Sequence, residues 1–169
     1  LLVTKYAWQG VEEKVMAYSD SDWAGCRQTG KSTSGGVIMI GDHFIKGWSR
    51  TQNHVTLSSA EAELIALADC AIELLYVRAL LEFLGHELPA AIEVYTDNKG
   101  AYDLCHRFSS APNSRHIERK MFKMRELRGA GVVQVCMVHG DSTPADLFTK
   151  ILPPQTFAMY RRFVLRRLF

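Results

Sequence analysis

Four carboxylates recur where one element of the chain gives way to the next: Asp20, Glu63, Asp97 and Asp146. Magnesium is a hard ion that prefers oxygen ligands, and a few carboxylates together with substrate phosphate usually hold it. Two such ions roughly 4 Å apart can activate a water and stabilise the leaving oxygen of a phosphodiester. Without a cation, four converging acids repel one another and make a poor structural choice. Each acid also has a plainer use. Asp20 or Asp22 can end a strand; being two apart, both can point the same way, and spacing does not choose between them. Asp97, in Tyr95-Thr96-Asp97-Asn98, follows an apolar run and precedes a helix, where Asp and Asn are ordinary turn and cap residues. Asp146 closes the capping box Thr143-Pro144-Ala145-Asp146, which accounts for it without any chemistry. Glu63 has no such excuse. Glu61 takes the capping duty beside it, and Glu63 is left on an apolar stripe where a buried carboxylate needs a partner.

The elements that must position these acids are legible in the pattern. Val15 to Ser19 reads as a strand, followed by Asp20 and then a polar loop from Arg27 to Ser34. Gly36 to Ile40 and His43 to Trp48 flank the turn Gly41-Asp42 and read as a hairpin. Ser58-Ser59-Ala60-Glu61 is a second capping box, in which Ser58 and Glu61 would satisfy each other's backbone donors. It opens a helical run to Leu84, closed by Gly85. One apolar stripe on that helix runs from Leu67 through Cys70, Leu74, Val77, Leu81 and Leu84; a second joins Ile65, Ala68, Ile72 and Phe83. Ala91 to Thr96 reads as a buried strand that delivers Asp97 at its carboxyl end, where open α/β sheets bind ligands. A short helix from Asn98, a basic helix over 117–130, a strand over 132–138 and a helix starting at Pro144 complete the series. Strands, helix, strand, helices, strand, helix imply an α/β fold with a mixed sheet.

Composition narrows the class. At 169 residues and 47% hydrophobic, the chain can bury a core of one domain and is not disordered. A net charge of +2 makes any nucleic-acid site a local patch. Cys26, Cys70, Cys105 and Cys136 form no Cys-x-x-Cys pair, which fits a reducing, intracellular setting and gives no zinc signature. No apolar run reaches the length of a membrane span. The chain starts at Leu1, and we expect a piece of a longer polypeptide.

Several blocks carry a resemblance. Tyr18-Ser19-Asp20-Ser21-Asp22-Trp23-Ala24-Gly25 and Lys31-Ser32-Thr33-Ser34-Gly35-Gly36 are the first two. Leu57-Ser58-Ser59-Ala60-Glu61-Ala62-Glu63, Tyr95-Thr96-Asp97-Asn98, Arg115-His116-Ile117 and Pro144-Ala145-Asp146-Leu147-Phe148-Thr149-Lys150 follow in order. Together the chain resembles the ribonuclease H domain of copia-type retrotransposon Pol polyproteins. The resemblance implies an RNase H-like fold: a mixed five-stranded sheet, three antiparallel strands and then parallel ones, with helices on both faces. It implies a ribonuclease H that uses two Mg²⁺ ions, with Mn²⁺ as a substitute, to cut the RNA strand of an RNA–DNA hybrid. The implied metal ligands are Asp20, Glu63, Asp97 and Asp146, with Asp22 a neighbour rather than a ligand. The implied partners are the hybrid and the reverse transcriptase domain of the same polyprotein. On this basis residues 1–14 are the remnant of an upstream segment, 15–152 the RNase H-like domain, and 153–169 a basic amphipathic tail. The other class of function compatible with the fold is an idle module that binds hybrid or supports a reverse transcriptase.

Substrate contacts are expected near Ser21, Asp22, Ser32, Thr33 and Ser34, and at Asn98. The RNA 2′-hydroxyl is the handle to be read there. Arg115 and His116 precede the basic helix and could meet a phosphate. The Arg and Lys residues from Arg119 to Arg128 could follow the DNA strand. His139, in His139-Gly140-Asp141-Ser142-Thr143, could stand where cellular enzymes carry a mobile histidine that helps release product. Trp23 and Trp48 are expected in the core.

Overall fold

A computed structural model describes residues 2, 3, 6, 8, 14–106, 115–164, 166 and 167. Most of the segment 1–14 lies outside the described residues, as does the loop 107–114. The five main strands are β1 (Val15–Asp22), β2 (Thr33–Ile40), β3 (His43–Thr51), β4 (Ile92–Thr96) and β5 (Val133–Met137). They form one sheet in the order β3-β2-β1-β4-β5. β1, β2 and β3 are antiparallel neighbours, while β4 runs parallel to β1 and β5 parallel to β4. This is the mixed sheet the sequence implies. A two-residue pair, Leu2–Val3 with Arg166–Arg167, lies apart from it.

Three strands are longer than their apolar pattern suggests. β3 runs past Trp48 to Thr51. β1 continues to Asp22, so Asp20 sits within the strand and not after it. β2 begins at Thr33, which draws Thr33 and Ser34 out of the expected loop. The cause is pairing: Asp20 lies opposite Gly35 and Asp22 opposite Thr33, and ladder bonds hold the polar ends extended.

The central helix α1 (Ser59–Phe83) is built from its caps inward. The Ser58 hydroxyl accepts from the Glu61 N–H at 3.3 Å, while the Glu61 carboxylate accepts from Leu57 N–H at 2.8 Å, one residue before the donor expected. At the other end Gly85 takes φ +85°, and the N–H groups of Gly85 and His86 donate to Glu82 and Leu81, a Schellman closure. The early part of α1 is buried all round, from Ala62 to Ala68, and Leu64, Ile65, Leu67 and Ala68 lie in the same cluster as Val15, Ala17, Ile38, Ile92 and Val94 of the sheet. The second apolar stripe fails towards the C-terminus: Ile72 and Phe83 are exposed, because the helix outruns the layer beneath it.

Helices α2 (Lys99–His106) and α3 (Arg115–Gly129) share that core through Ala101, Cys105, Ile117, Met121 and Met124. A 3₁₀ helix (Pro144–Phe148) and helix α4 (Pro154–Val164) serve the opposite face. Two adjacent glycines of β2 show why both faces can be covered. A Cβ on Gly36 would meet the core Trp48 ring at 2.1 Å, and a Cβ on Gly35 would meet Thr149 and Phe148 at 2.6 and 3.0 Å. Successive residues of a strand point to opposite faces. Within 153–169, set apart in the sequence as a tail, Tyr160 of α4 is buried and donates to the Gly140 carbonyl at 3.1 Å.

Gly36→Ala is expected to destabilise the protein by about 1–3 kcal/mol, because the Trp48 ring has no room to yield. Gly129→Ala, at a helical position with open space around it, is expected to be neutral or stabilising by up to about 1 kcal/mol. Urea denaturation of the two variants checks both signs.

Candidate metal centre

β1 and β4 supply the first two acids by register. Tyr18 pairs with Tyr95 in the parallel ladder, so two residues further on Asp20 and Asp97 stand side by side at the carboxyl ends of neighbouring strands. Glu63 comes down from the second turn of α1, and its Oε1 accepts from the Ser21 N–H at 3.1 Å. An oxygen from each of Asp20, Glu63 and Asp97 lies within 4.8 Å of the others. Asp146 approaches from the 3₁₀ helix. Lys150, one turn later, ties it in: the ammonium donates to Asp146 Oδ1 at 2.8 Å and to Asp20 Oδ1 at 3.0 Å. The Thr149 hydroxyl also donates to the Asp20 carboxylate.

The capping account of Asp146 does not hold. Thr143 makes no side-chain cap bond, its hydroxyl is buried without a partner, and the segment it starts is 3₁₀ rather than α. The Asp146 carboxylate turns instead to Lys150.

Electrostatically the cluster is short of positive charge. Burial first, then the charges of Asp20 and Asp97, push the Glu63 carboxyl up to about 8. Burial and Asp20 raise Asp97 as well. Burial raises Asp146 to about 6 despite the Lys150 hydrogen bond. Burial works against the Lys150 ammonium, yet its bonds to Asp146 and Asp20 hold its pKa above the usual lysine value. Glu63 Oε2 is buried with no hydrogen-bond partner. An all-carboxylate donor set with an orphaned oxygen and raised proton affinities fits a hard divalent cation.

The other residues singled out in the sequence divide. Ser21 contributes its N–H to Glu63, and its own hydroxyl is buried without a partner. The Asp22 carboxylate folds back over Gly25, away from the three clustered acids. Ser32 and Ser34 are buried in structural bonds, Ser32 to Ala24 N–H and Thr56, Ser34 to the Gln52 amide. Thr33 opens β2, opposite Thr51 of β3. Asn98 caps α2, its Oδ1 accepting from Ala101 N–H at 3.0 Å. Arg115 is exposed, and His116 stacks on His54 with centroids 4.3 Å apart. That pair lines a cavity of about 370 Å³ with Arg50, Gln52, Asp69 and Lys120. The basic helix offers less than expected: Arg125 and Arg128 donate to the Leu104 and Cys105 carbonyls at the end of α2, and Lys120 pairs with Asp69. His139 is exposed and accepts from Asp141 N–H; its neighbour Gly140 lies against Asp97. Trp48 is core, but Trp23 is 48% exposed. Lys150 and Thr149 were missed as site residues, although Lys150 stands four residues from Asp146, a spacing that sets an ammonium beside a carboxylate.

No family model matches the chain. Over 86% of its length it is 34% identical to the Retrovirus-related Pol polyprotein from transposon RE2 of Arabidopsis thaliana. Over 83% it is 34% identical to the corresponding polyprotein from transposon RE1 of the same plant, and over 92% it is 28% identical to that from transposon TNT 1-94 of Nicotiana tabacum. These matches take in 10 to 12% of each relative, so the chain spans about a tenth of their length. Among solved structures, RNase H1 from the archaeon Halobacterium salinarum covers 80% of this chain and 94% of its own, with TM-score 0.57 and 21% identity. LC11-RNase H1 in complex with RNA/DNA hybrid gives TM-score 0.58 at 16% identity, over 80% of this chain and 94% of its own. The foamy viral protease-reverse transcriptase in complex with RNA/DNA hybrid gives 0.54 at 14%, over 92% of this chain and 22% of that one.

A carboxyl whose folded pKa lies above its unfolded value costs stability once ionised. For Glu63 that cost is absent below about 4.5, grows as pH rises, and is complete above about 8. In EDTA, Glu63→Gln should therefore raise Tm at pH 8, by an amount worth about 1–3 kcal/mol, and change it little at pH 5. Lys150→Met should lower Tm under the same conditions by roughly 1–2 kcal/mol, since it leaves two acids without their cation. Thermal melts at both pH values decide; a Glu63→Gln protein less stable than the parent at pH 8 would contradict the charge-crowding account.

Proposed function

Because this chain is homologous to a segment of retrovirus-related Pol polyproteins from plant transposons and has the ribonuclease H fold, we propose that it is a metal-dependent endonuclease that cuts the RNA strand of RNA–DNA hybrids. The observation that carries the proposal is the convergence of Asp20, Glu63 and Asp97 oxygens within 4.8 Å, with Asp146 linked to Asp20 through Lys150. A binding module has no use for such repulsion.

In this reading Asp20, Glu63, Asp97 and Asp146 would hold two Mg²⁺ ions, and bound metal would supply water activation and charge stabilisation of the leaving 3′ oxygen. The water oxygen bonds to phosphorus, the P–O3′ bond breaks, and a 3′-hydroxyl and a 5′-phosphate result. The chain's own residues prepare this. Ser21 N–H orients Glu63, Thr149 orients Asp20, and the Lys150 ammonium balances Asp20 and Asp146 until divalent charge arrives. The cavity between Arg50, His54, His116 and Lys120 would take a backbone phosphate, and the exposed Arg115 next to His116 in sequence would assist. His139, exposed on the loop whose Gly140 faces Asp97, would assist product departure. The reverse transcriptase part of the same polyprotein would be the physical partner, with 15–152 as the RNase H-like domain and 1–14 belonging to what precedes it. No helix among the described residues is long and apolar enough to cross a membrane.

With labelled hybrid and Mg²⁺, Asp97→Asn should cut the rate about a hundredfold or more while hybrid binding in Ca²⁺ persists. Full activity of that variant defeats the assignment. Hybrid binding by the parent protein without any cleavage favours the idle module, and cleavage of plain duplex DNA favours a polynucleotidyl transferase. His139→Ala should lower steady-state turnover several-fold and leave single-turnover cleavage nearly unchanged.

A further inference from the structure

The acids of the candidate metal centre are not equally open to a cation. Both oxygens of Asp20 are already held by the chain itself: the Thr149 hydroxyl donates to Oδ2, and the Lys150 ammonium donates to Oδ1 at 3.0 Å. The same ammonium reaches Asp146 Oδ1 at 2.8 Å. Glu63 Oε2, by contrast, is buried without a hydrogen-bond partner. Asp146 is not one of the three acids whose oxygens lie within 4.8 Å of one another, and the ammonium is what joins it to Asp20. The centre therefore has two unlike halves. The half formed by Asp20, Glu63 and Asp97 offers a buried acceptor with no donor. The half formed by Asp20 and Asp146 has a cation of the chain's own seated between its oxygens. That cation has a way out. The Asp20 side chain is 1% exposed, whereas the Lys150 side chain is 39% exposed, and Ile151, next along the chain, stands wholly in solvent. The lysine stem thus enters from the open side of the pocket, and its four-carbon chain is flexible enough to withdraw the ammonium.

We propose that Lys150 is the resident occupant of one of the two cation positions: with no hybrid bound, Asp20, Glu63 and Asp97 take one divalent ion, and a second enters between Asp20 and Asp146 only by displacing the ammonium. This inference rests on the metal-dependent nuclease reading above and gives Lys150 control over the order in which the centre fills. Geometry requires the exchange. Magnesium binds carboxylate oxygens at about 2.1 Å, so an ion shared by Asp20 and Asp146 must take the oxygens that the ammonium now holds. Two cations on the same oxygens repel, and the ammonium, a compact charge on a flexible stem, is the one free to leave. The same contact explains how Asp20 and Asp146 stay together in the metal-free chain, where their charges alone would part them. A single positive charge suffices for that task and is weaker than a divalent ion. A substrate phosphate adds negative charge and oxygen ligands of its own, which favours the divalent ion and completes the displacement.

The test reads ion binding rather than cleavage. Mn²⁺ is titrated by calorimetry into the hybrid-free protein. The parent should take one ion well and a second much more weakly. Lys150→Met should bind the second ion about tenfold or more tighter, a larger gain than that of the first, because the charge-assisted bonds that compete with it are gone. Lys150→Arg, which keeps a cation on the same seat, should behave as the parent does. A second measurement uses the parent alone and so does not depend on any variant folding. Amines are labelled with acetic anhydride and mapped by peptide mass spectrometry, with the exposed Lys14 as internal reference. Lys150 should label slowly in EDTA and with the first Mn²⁺ bound, and several-fold faster once the second is in place. If Lys150→Met tightens both ions equally, if the parent takes two ions of equal affinity, or if Lys150 labels at one rate throughout, Lys150 does not hold the second seat and the proposal is overturned, while the nuclease reading stands as long as the parent cleaves hybrid. If the parent takes up no Mn²⁺ and cleaves no hybrid in its presence, both readings fall.

Discussion

Negative charges forced together in a partly desolvated space are the constraint from which the rest of this molecule can be understood. Asp20 and Glu63 are almost wholly buried, with Asp97 beside them and Asp146 at the margin. Each carboxylate raises the energy of its neighbours, and burial raises all of them. What holds the cluster is the scaffold: two parallel strands in fixed register, a helix buried all round at the level of Glu63, and a short 3₁₀ turn pressed onto glycine. Lys150 supplies an ammonium that bridges Asp20 and Asp146. The stability of the core is thus spent at one end of the sheet on an arrangement that a divalent ion would relieve.

Much of this was legible in the chain itself, for identifiable reasons. Glu63 stood out because a carboxylate on an apolar helical stripe contradicts the stripe. The strand before Asp97 was plain because a short run such as Ala91 to Thr96 between turn residues has few other readings. The Schellman closure at Gly85 was announced by a glycine after a long periodic segment. Where the reading failed, long-range contacts had overruled local preference. Ladder pairing kept Asp20 and Ser34 extended in spite of their polarity. Asp146 fitted a capping box on paper, but the turn is 3₁₀ and the carboxylate is claimed by Lys150. Trp23 was assigned to the core by residue type, and only the position of Thr56 and Ser32 in space turns it outward. Arg125 and Arg128 read as part of a basic face, yet they serve as donors to the orphan carbonyls that end α2.

The division of labour between the two faces of the sheet follows from these contacts. One face carries α1, α2 and α3 and most of the apolar burial. The other face carries less hydrophobic mass but more of the polar structure, through Thr149, Lys150 and Asp146. Tyr160 of α4, bonded to the Gly140 carbonyl, steadies the loop that leads from Asp97's neighbour to Asp146. The acids are therefore supported from both sides by elements distant in sequence.

Gly35 has an outsized role for a residue without a side chain. Its missing methyl group sets how deep the segment from Ala145 to Thr149 can settle towards β2, and so how far the carboxylate of Asp146 sits from that of Asp20. The spacing between acids on two different elements is governed by a steric shim rather than by any charge. Across a lineage, the grip of such a pocket on its ions could drift by fractions of an ångström through the packing at this point alone, with every acid left in place.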